Sequence, residues 1–200
     1  VVWRYDLIFF SDRYTKEYHI KAFKSIAEEL SGYTEKCVIS FVDIYPKNKK
    51  NMNGLLSYEL SDYELREFAK ELSKIAADNN IKLGSCAEKI DLDECGIVHN
   101  SCIDRELIEK IIGCKLNVEK DKNQRIECGC VESVEIGTYN TCKNGCAYCY
   151  ANYSSKSVET NAAKYDPLSP LLCGQVQDDD KITIRKVGSL KETQLSIFDM

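Results

Sequence analysis

The first 113 residues alternate β-branched or aromatic runs with amphipathic helical stripes, and that alternation restricts the chain to a parallel α/β architecture. Val1 to Phe10 reads as a strand. Thr15 to Leu30 places Ile20, Phe23, Ile26, Ala27 and Leu30 on one helical face and stops at Gly32. Cys37 to Tyr45 is the next strand-like run, and the polar stretch Pro46 to Gly54 reads as a surface loop. Ser61 and Glu64 form a capping box that opens a helix with the stripe Leu65, Phe68, Ala69, Leu72, Ile75 and Ala76. Ile81 to Cys86 supplies a third strand, and Asp104 to Gly113 a short helix carrying Leu107, Ile108, Ile111 and Ile112. An eight-unit barrel needs about 250 residues, so a barrel reading places its N-terminal part upstream of Val1. A smaller doubly wound sheet is the alternative.

Regular periodicity fades after Cys114, which divides the chain into an α/β part (1–115), a cysteine-rich irregular part (116–175) and a C-terminal tail (176–200). The expected fold is therefore α/β: the C-terminal part of a TIM-barrel-like domain followed by an irregular metal-binding segment. A start at Val1, inside a strand-like run, points to a piece of a longer protein. No run approaches the roughly 18 uncharged apolar residues of a spanning helix. The net charge of −5 removes any electrostatic basis for sequence-blind binding to nucleic acid. A nucleic-acid role would need another recruiter.

Eleven cysteines are an odd number, and five of them (Cys128, Cys130, Cys142, Cys146 and Cys149) crowd into one window, unlike an evenly stapled secreted domain. This usage indicates a reducing compartment, the cytoplasm, and a metal site. Cys142, Cys146 and Cys149 are spaced C-x3-C-x2-C. Three thiolates on one loop can cap three irons of a four-iron cluster and leave the fourth without a protein ligand. The alternative is a zinc or closed iron–sulfur staple completed by Cys128 or Cys130. Cys86, Cys102, Cys128 and Cys130 are candidates for a second metal, while Cys37, Cys95, Cys114 and Cys173 read as packing residues.

Arg4, Asp6, Asp43 and Glu88 fall in or just beyond predicted strands and are candidates for a shared substrate cleft or for a salt-bridge network. His99, close to Cys102, is a candidate ligand or proton carrier, and His19 is expected at the surface. Lys120, Lys122 and Arg125 form a basic patch before Cys128.

Several stretches carry a family resemblance: VWRYD (2–6), CVISFVD (37–43), HNSCID (99–104), KDKNQRIECGC (120–130), IGTYNTCKNGCAYCYAN (136–152) and DPLSPLLCG (166–174). They resemble an uncharacterised, mostly bacterial domain-of-unknown-function family whose C-terminal cysteine cluster is similar to that of radical S-adenosylmethionine (SAM) enzymes. The resemblance implies a 4Fe-4S cluster on Cys142, Cys146 and Cys149 and SAM as a cofactor, with no activity established for the family. The triplet follows the α/β region, where ordinary radical SAM enzymes carry it after the first barrel strand, and the usual glycine-rich strand-end motif is not visible. YCYAN (148–152) is also similar to the cluster loop of spore photoproduct lyase and its DNA-repair relatives. QLSIF, with Gln194, Leu195, Ile197 and Phe198, resembles the peptide by which bacterial repair proteins dock on the DNA sliding clamp. Two functions are thus expected as alternatives: a radical SAM-like enzyme acting on nucleic acid or a nucleotide, or a metal-stapled binding module recruited by its tail.

Overall fold

The computed structural model describes residues 1–55 and 58–192, which fall into two compact units. The first contains Val1–Val42, the described residues of Leu56–Ser133 and those of Ser189–Met200. The second contains Asp43–Leu55 and Val134–Gly188.

Four parallel strands organise the first unit: β1 (Val2–Ile8), β2 (Lys36–Phe41), β3 (Lys82–Ser85) and the two-residue β4 (Val98–His99). They lie in the order β1-β2-β3-β4, so each crossover adds the next strand on the same side. A doubly wound sheet reverses its order at a switch point, and no reversal occurs among the described strands. The register aligns Trp3 with Cys37 and Leu83, and Arg4 with Val38, Gly84 and Val98. Because strand side chains alternate, these two rows face opposite sides of the sheet.

The Trp3 row meets two helices, α1 (Lys16–Leu30) and α3 (Asp62–Asp78). Phe23 and Ala27 from α1 and Phe68, Ala69, Leu72 and Ala76 from α3 are buried against Cys37, Ile39 and Leu83. Trp3 stacks on Phe23 with centroids 4.6 Å apart. Full burial of one such large apolar side chain contributes roughly 1.5–3 kcal/mol, so this face holds the unit together. Thr15 caps α1 by accepting from the Tyr18 amide, and the Ser61–Glu64 capping box of α3 is complete.

Helix α4 (Arg105–Ile112) forms where expected, capped by Asp104 and ended by Gly113 in a left-handed conformation (φ 69°). Its apolar stripe does not enter the core: Ile111 is 73% exposed, and Leu107 and Ile112 are exposed too. The expectation for His19 is also corrected. It is only 6% exposed, because Tyr5 and Phe9 supply partners for both ring nitrogens at 2.9 and 3.0 Å. A polar side chain on an amphipathic helix reads as outward-facing, but partners on another element remove the cost of burying it.

The second unit is largely irregular, with α2 (Lys49–Met52) and α5 (Ser155–Ala163) as its helices among the described residues. Met52 is the one buried hydrophobic side chain among its described residues. Pro46 to Gly54, expected as a solvated loop, instead contributes α2 and the buried Asn48, 1% exposed. Among the described residues no helix is long and apolar enough to cross a membrane.

Candidate functional site

In the second unit, side-chain amides shape the loop that carries Cys142, Cys146 and Cys149. Buried Asn140 accepts at Oδ1 from the amides of Tyr153 and Ser154 at 3.0 and 3.2 Å. Its backbone amide donates to the Ala151 carbonyl at 2.9 Å, closing the segment into a loop. Asn152 Nδ2 donates to the Cys142 carbonyl, and Gly145 takes a left-handed φ of 66° within the turn. The Cys149 amide donates to the Cys146 carbonyl at 3.1 Å, which fixes the C-x2-C turn. Asn48 reaches the same loop from the chain after β2: its Nδ2 donates to the Tyr148 carbonyl at 3.0 Å and to the Asp43 carbonyl at 3.2 Å. Lys47 lies over the rings of Tyr139 and Tyr153 at 4.5 and 5.6 Å.

A cavity of about 360 Å³ opens beside this loop, lined by Cys142, Lys143, Cys146 and Asn152 and by the first turn of α5. Cys142 is exposed, and Cys146 and Cys149 are half-buried. Among the described residues no three His, Cys, Asp or Glu side chains converge where a metal ion would be held. The donor chemistry does fit an iron–sulfur cluster, which takes thiolate ligands, and a unit with so little apolar core has reason to use one as a cross-link.

The first unit carries a separate group of thiols. Cys86, just beyond β3, and Cys102, just beyond β4, have Sγ atoms 3.4 Å apart. Arg4 Nη1 donates to Cys102 Sγ at 3.0 Å, and Arg4 is paired with Asp6, its Nε 3.0 Å from Oδ2. Hydrogen bonding from Cys86, followed by the Arg4 guanidinium, pushes Cys102 down to about 5. Cys86 moves the opposite way, because its thiol proton is held against Cys102 and its burial disfavours charge. Burial opposes the Arg4 charge, but Asp6 and the two thiols outweigh it and raise its pKa.

Cys128 and Cys130 are buried nearby with Ala87 and Cys86. Cys130 Sγ accepts from the amides of Cys102 and Ile103 at 3.2 and 3.3 Å, and burial raises its pKa. Gly129 makes this docking possible: Ser101 Oγ donates to its carbonyl at 2.8 Å, and a Cβ at Gly129 would sit 2.5 Å from that same Oγ. The structure therefore gathers Cys86, Cys102, Cys128 and Cys130 in one region without setting them around a common centre.

The remaining candidates separate. Arg4 and Asp6 stay together, whereas Glu88 Oε1 accepts from the Phe41 amide at 2.9 Å and so terminates β2. Asp43 belongs to the second unit, where Tyr45 Oη donates to its carboxylate at 3.4 Å. His99 is exposed on β4. The basic patch is used internally: Lys120 donates to the Ile126 carbonyl, Lys122 pairs with Glu119 at 2.9 Å and Arg125 donates to the Ala87 carbonyl at 3.3 Å. Of the residues expected as packing cysteines, Cys37 and Cys95 are buried and Cys114 and Cys173 are half-buried. Gln194, Leu195, Ile197 and Phe198 lie outside the described residues. Sequence reasoning missed Asn48, Asn140 and Asn152, whose roles lie in backbone hydrogen bonds that no spacing encodes.

These features define an α/β protein with a parallel sheet and two groups of cysteines, one at the strand ends and one on an irregular loop. A family model described as a domain of unknown function (DUF1848) matches residues 1–151, and the chain belongs to that family. No curated protein and no solved structure matches the chain.

Proposed function

We propose that the chain is an iron–sulfur protein of radical SAM type, with Cys142, Cys146 and Cys149 as the cluster ligands. The observation that carries the reading is the second unit itself: one buried hydrophobic side chain among its described residues, and three thiols on a loop tied by buried asparagines. A segment of that kind cannot draw much stability from apolar burial, and metal–thiolate bonds supply what the core does not. Two of the three thiols border a cavity in which a small molecule can meet a cluster. Such a cluster, when bound, would supply the electron that cleaves the sulfonium of SAM. This chain's own part is to hold the thiolates, through Asn140 and Asn152, and to present Lys143 and the first turn of α5 to the cavity.

The strand order supports placing the sheet in a TIM-barrel-like domain, because consecutive parallel neighbours without reversal are how a barrel wall is laid down. The substrate class proposed is a nucleic acid or nucleotide, with recruitment to the DNA sliding clamp through Gln194, Leu195, Ile197 and Phe198. A tether of that kind raises effective concentration on DNA without needing a basic surface. The experiment is Cys146→Ala in protein purified without oxygen. Loss of iron with the α/β unit still folded supports the functional cluster. Equimolar zinc in the parent, and loss of folding together with that zinc in the variant, supports a metal-stapled binding module instead. Clamp binding that survives deletion of Gln194 to Phe198 would rule out the tether.

A further inference from the structure

The contact between Cys86 and Cys102 involves no residue of the cysteine loop, and it has the makings of a reactive dithiol. Their sulfurs are 3.4 Å apart, and the bond of a disulfide is about 2.05 Å, so little movement separates contact from bond. The two thiols are not equivalent. Cys102 is exposed, while Cys86 is half-buried behind it. Arg4 Nη1, 3.0 Å from Cys102 Sγ, favours the thiolate, which is the nucleophilic form, and pairing with Asp6 fixes the guanidinium. Cys128 and Cys130 are each only 6% exposed, and Cys130 Sγ already accepts two backbone amides, so neither competes for a reagent from solvent.

We propose that Cys102 and Cys86 form a thiol–disulfide exchange site for small-molecule disulfides, with Cys102 attacking and Cys86 resolving. The Cys102 thiolate attacks one sulfur of R–S–S–R, forming a Cys102–S–S–R mixed disulfide and expelling RS⁻, which takes a proton from water. The Cys86 thiol then loses its proton to solvent and attacks Cys102 Sγ, forming the Cys86–Cys102 disulfide and expelling the second RS⁻. The small disulfide is reduced by two electrons to two thiols, and the protein dithiol is oxidised by two.

The test uses the full reduced protein and 2-hydroxyethyl disulfide, with aliquots quenched by iodoacetamide and mapped by mass spectrometry. A peptide cross-linked between Cys86 and Cys102 is expected ahead of adducts on the other nine cysteines. In Cys86→Ser the mercaptoethanol adduct on Cys102 should persist. Arg4→Gln should slow labelling of Cys102 by about tenfold while the remaining cysteines keep their rates and serve as the control for folding. Independent labelling of the two cysteines without a cross-link, or earlier labelling of other cysteines, overturns the proposal. So does a bound zinc ion that protects both thiols until a chelator removes it, because the pair would then be metal ligands.

Discussion

His19 shows how one side chain reports on the whole α/β unit. Its Nε2 faces the Phe9 carbonyl and must donate, so its Nδ1 accepts from the Tyr5 hydroxyl, an arrangement that uses the neutral ring. Burial lowers its pKa below the ordinary value of about 6.5. The unfolded chain therefore binds a proton that the folded chain refuses as the pH falls through that value, and stability decreases in the same direction. Urea denaturation between pH 7.5 and 5.5 should show this loss in the parent. In His19→Gln the part of the slope due to this ring should vanish, and an identical slope in both proteins would assign the pH dependence elsewhere. This role is not legible from helical periodicity, which puts His19 at the surface, because its partners come from β1 and the chain that follows it.

At the level of elements, legibility followed the length of the pattern. The stripe and capping box of α3 and the apolar run of β2 appear close to where the sequence puts them, since each repeats its signal over several residues. β4 is only two residues long and has no period to read. α5 is capped by Ser154 and lies in a stretch dominated by polar residues, so hydrophobic patterning did not mark it. The C-G-C segment was legible as chemistry but not as packing. Gly129 is needed there for space, since its φ is not in the left-handed region and its missing Cβ leaves room for Ser101 Oγ. Gly129→Ala should therefore destabilise the α/β unit by about 1–3 kcal/mol, the usual range for overpacking. Adding Ser101→Ala, whose own Cβ would lie 3.7 Å away, should recover part of that loss despite removing the Ser101 hydrogen bond. Additive losses in the double variant would show that the clash is not the cause.

Across the whole molecule, the cysteines fall into groups that spacing did not separate. Cys128 and Cys130 are near the loop triplet in sequence but belong to the α/β unit, where backbone amides and Gly129 dock them beside Cys102. Cys142, Cys146 and Cys149 belong to the other unit together with Asp43–Leu55, of which the sequence reads Pro46 to Gly54 as a surface loop. The C-x3-C-x2-C triplet was legible as a group because three thiols on one loop need no long-range information. The Arg4–Cys102–Cys86 arrangement joins residues brought together only by the parallel sheet, and the sequence suggested a metal there without indicating Arg4 as the partner of a thiol. The proposed chemistry rests on the loop triplet leaving one iron of a four-iron cluster open. Electron paramagnetic resonance of the full-length protein, purified without oxygen, reduced and recorded with and without SAM, tests that claim most directly. A four-iron signal that shifts when SAM is added is the expected result, and a signal that SAM leaves unchanged, or a silent sample containing zinc, would contradict an open iron.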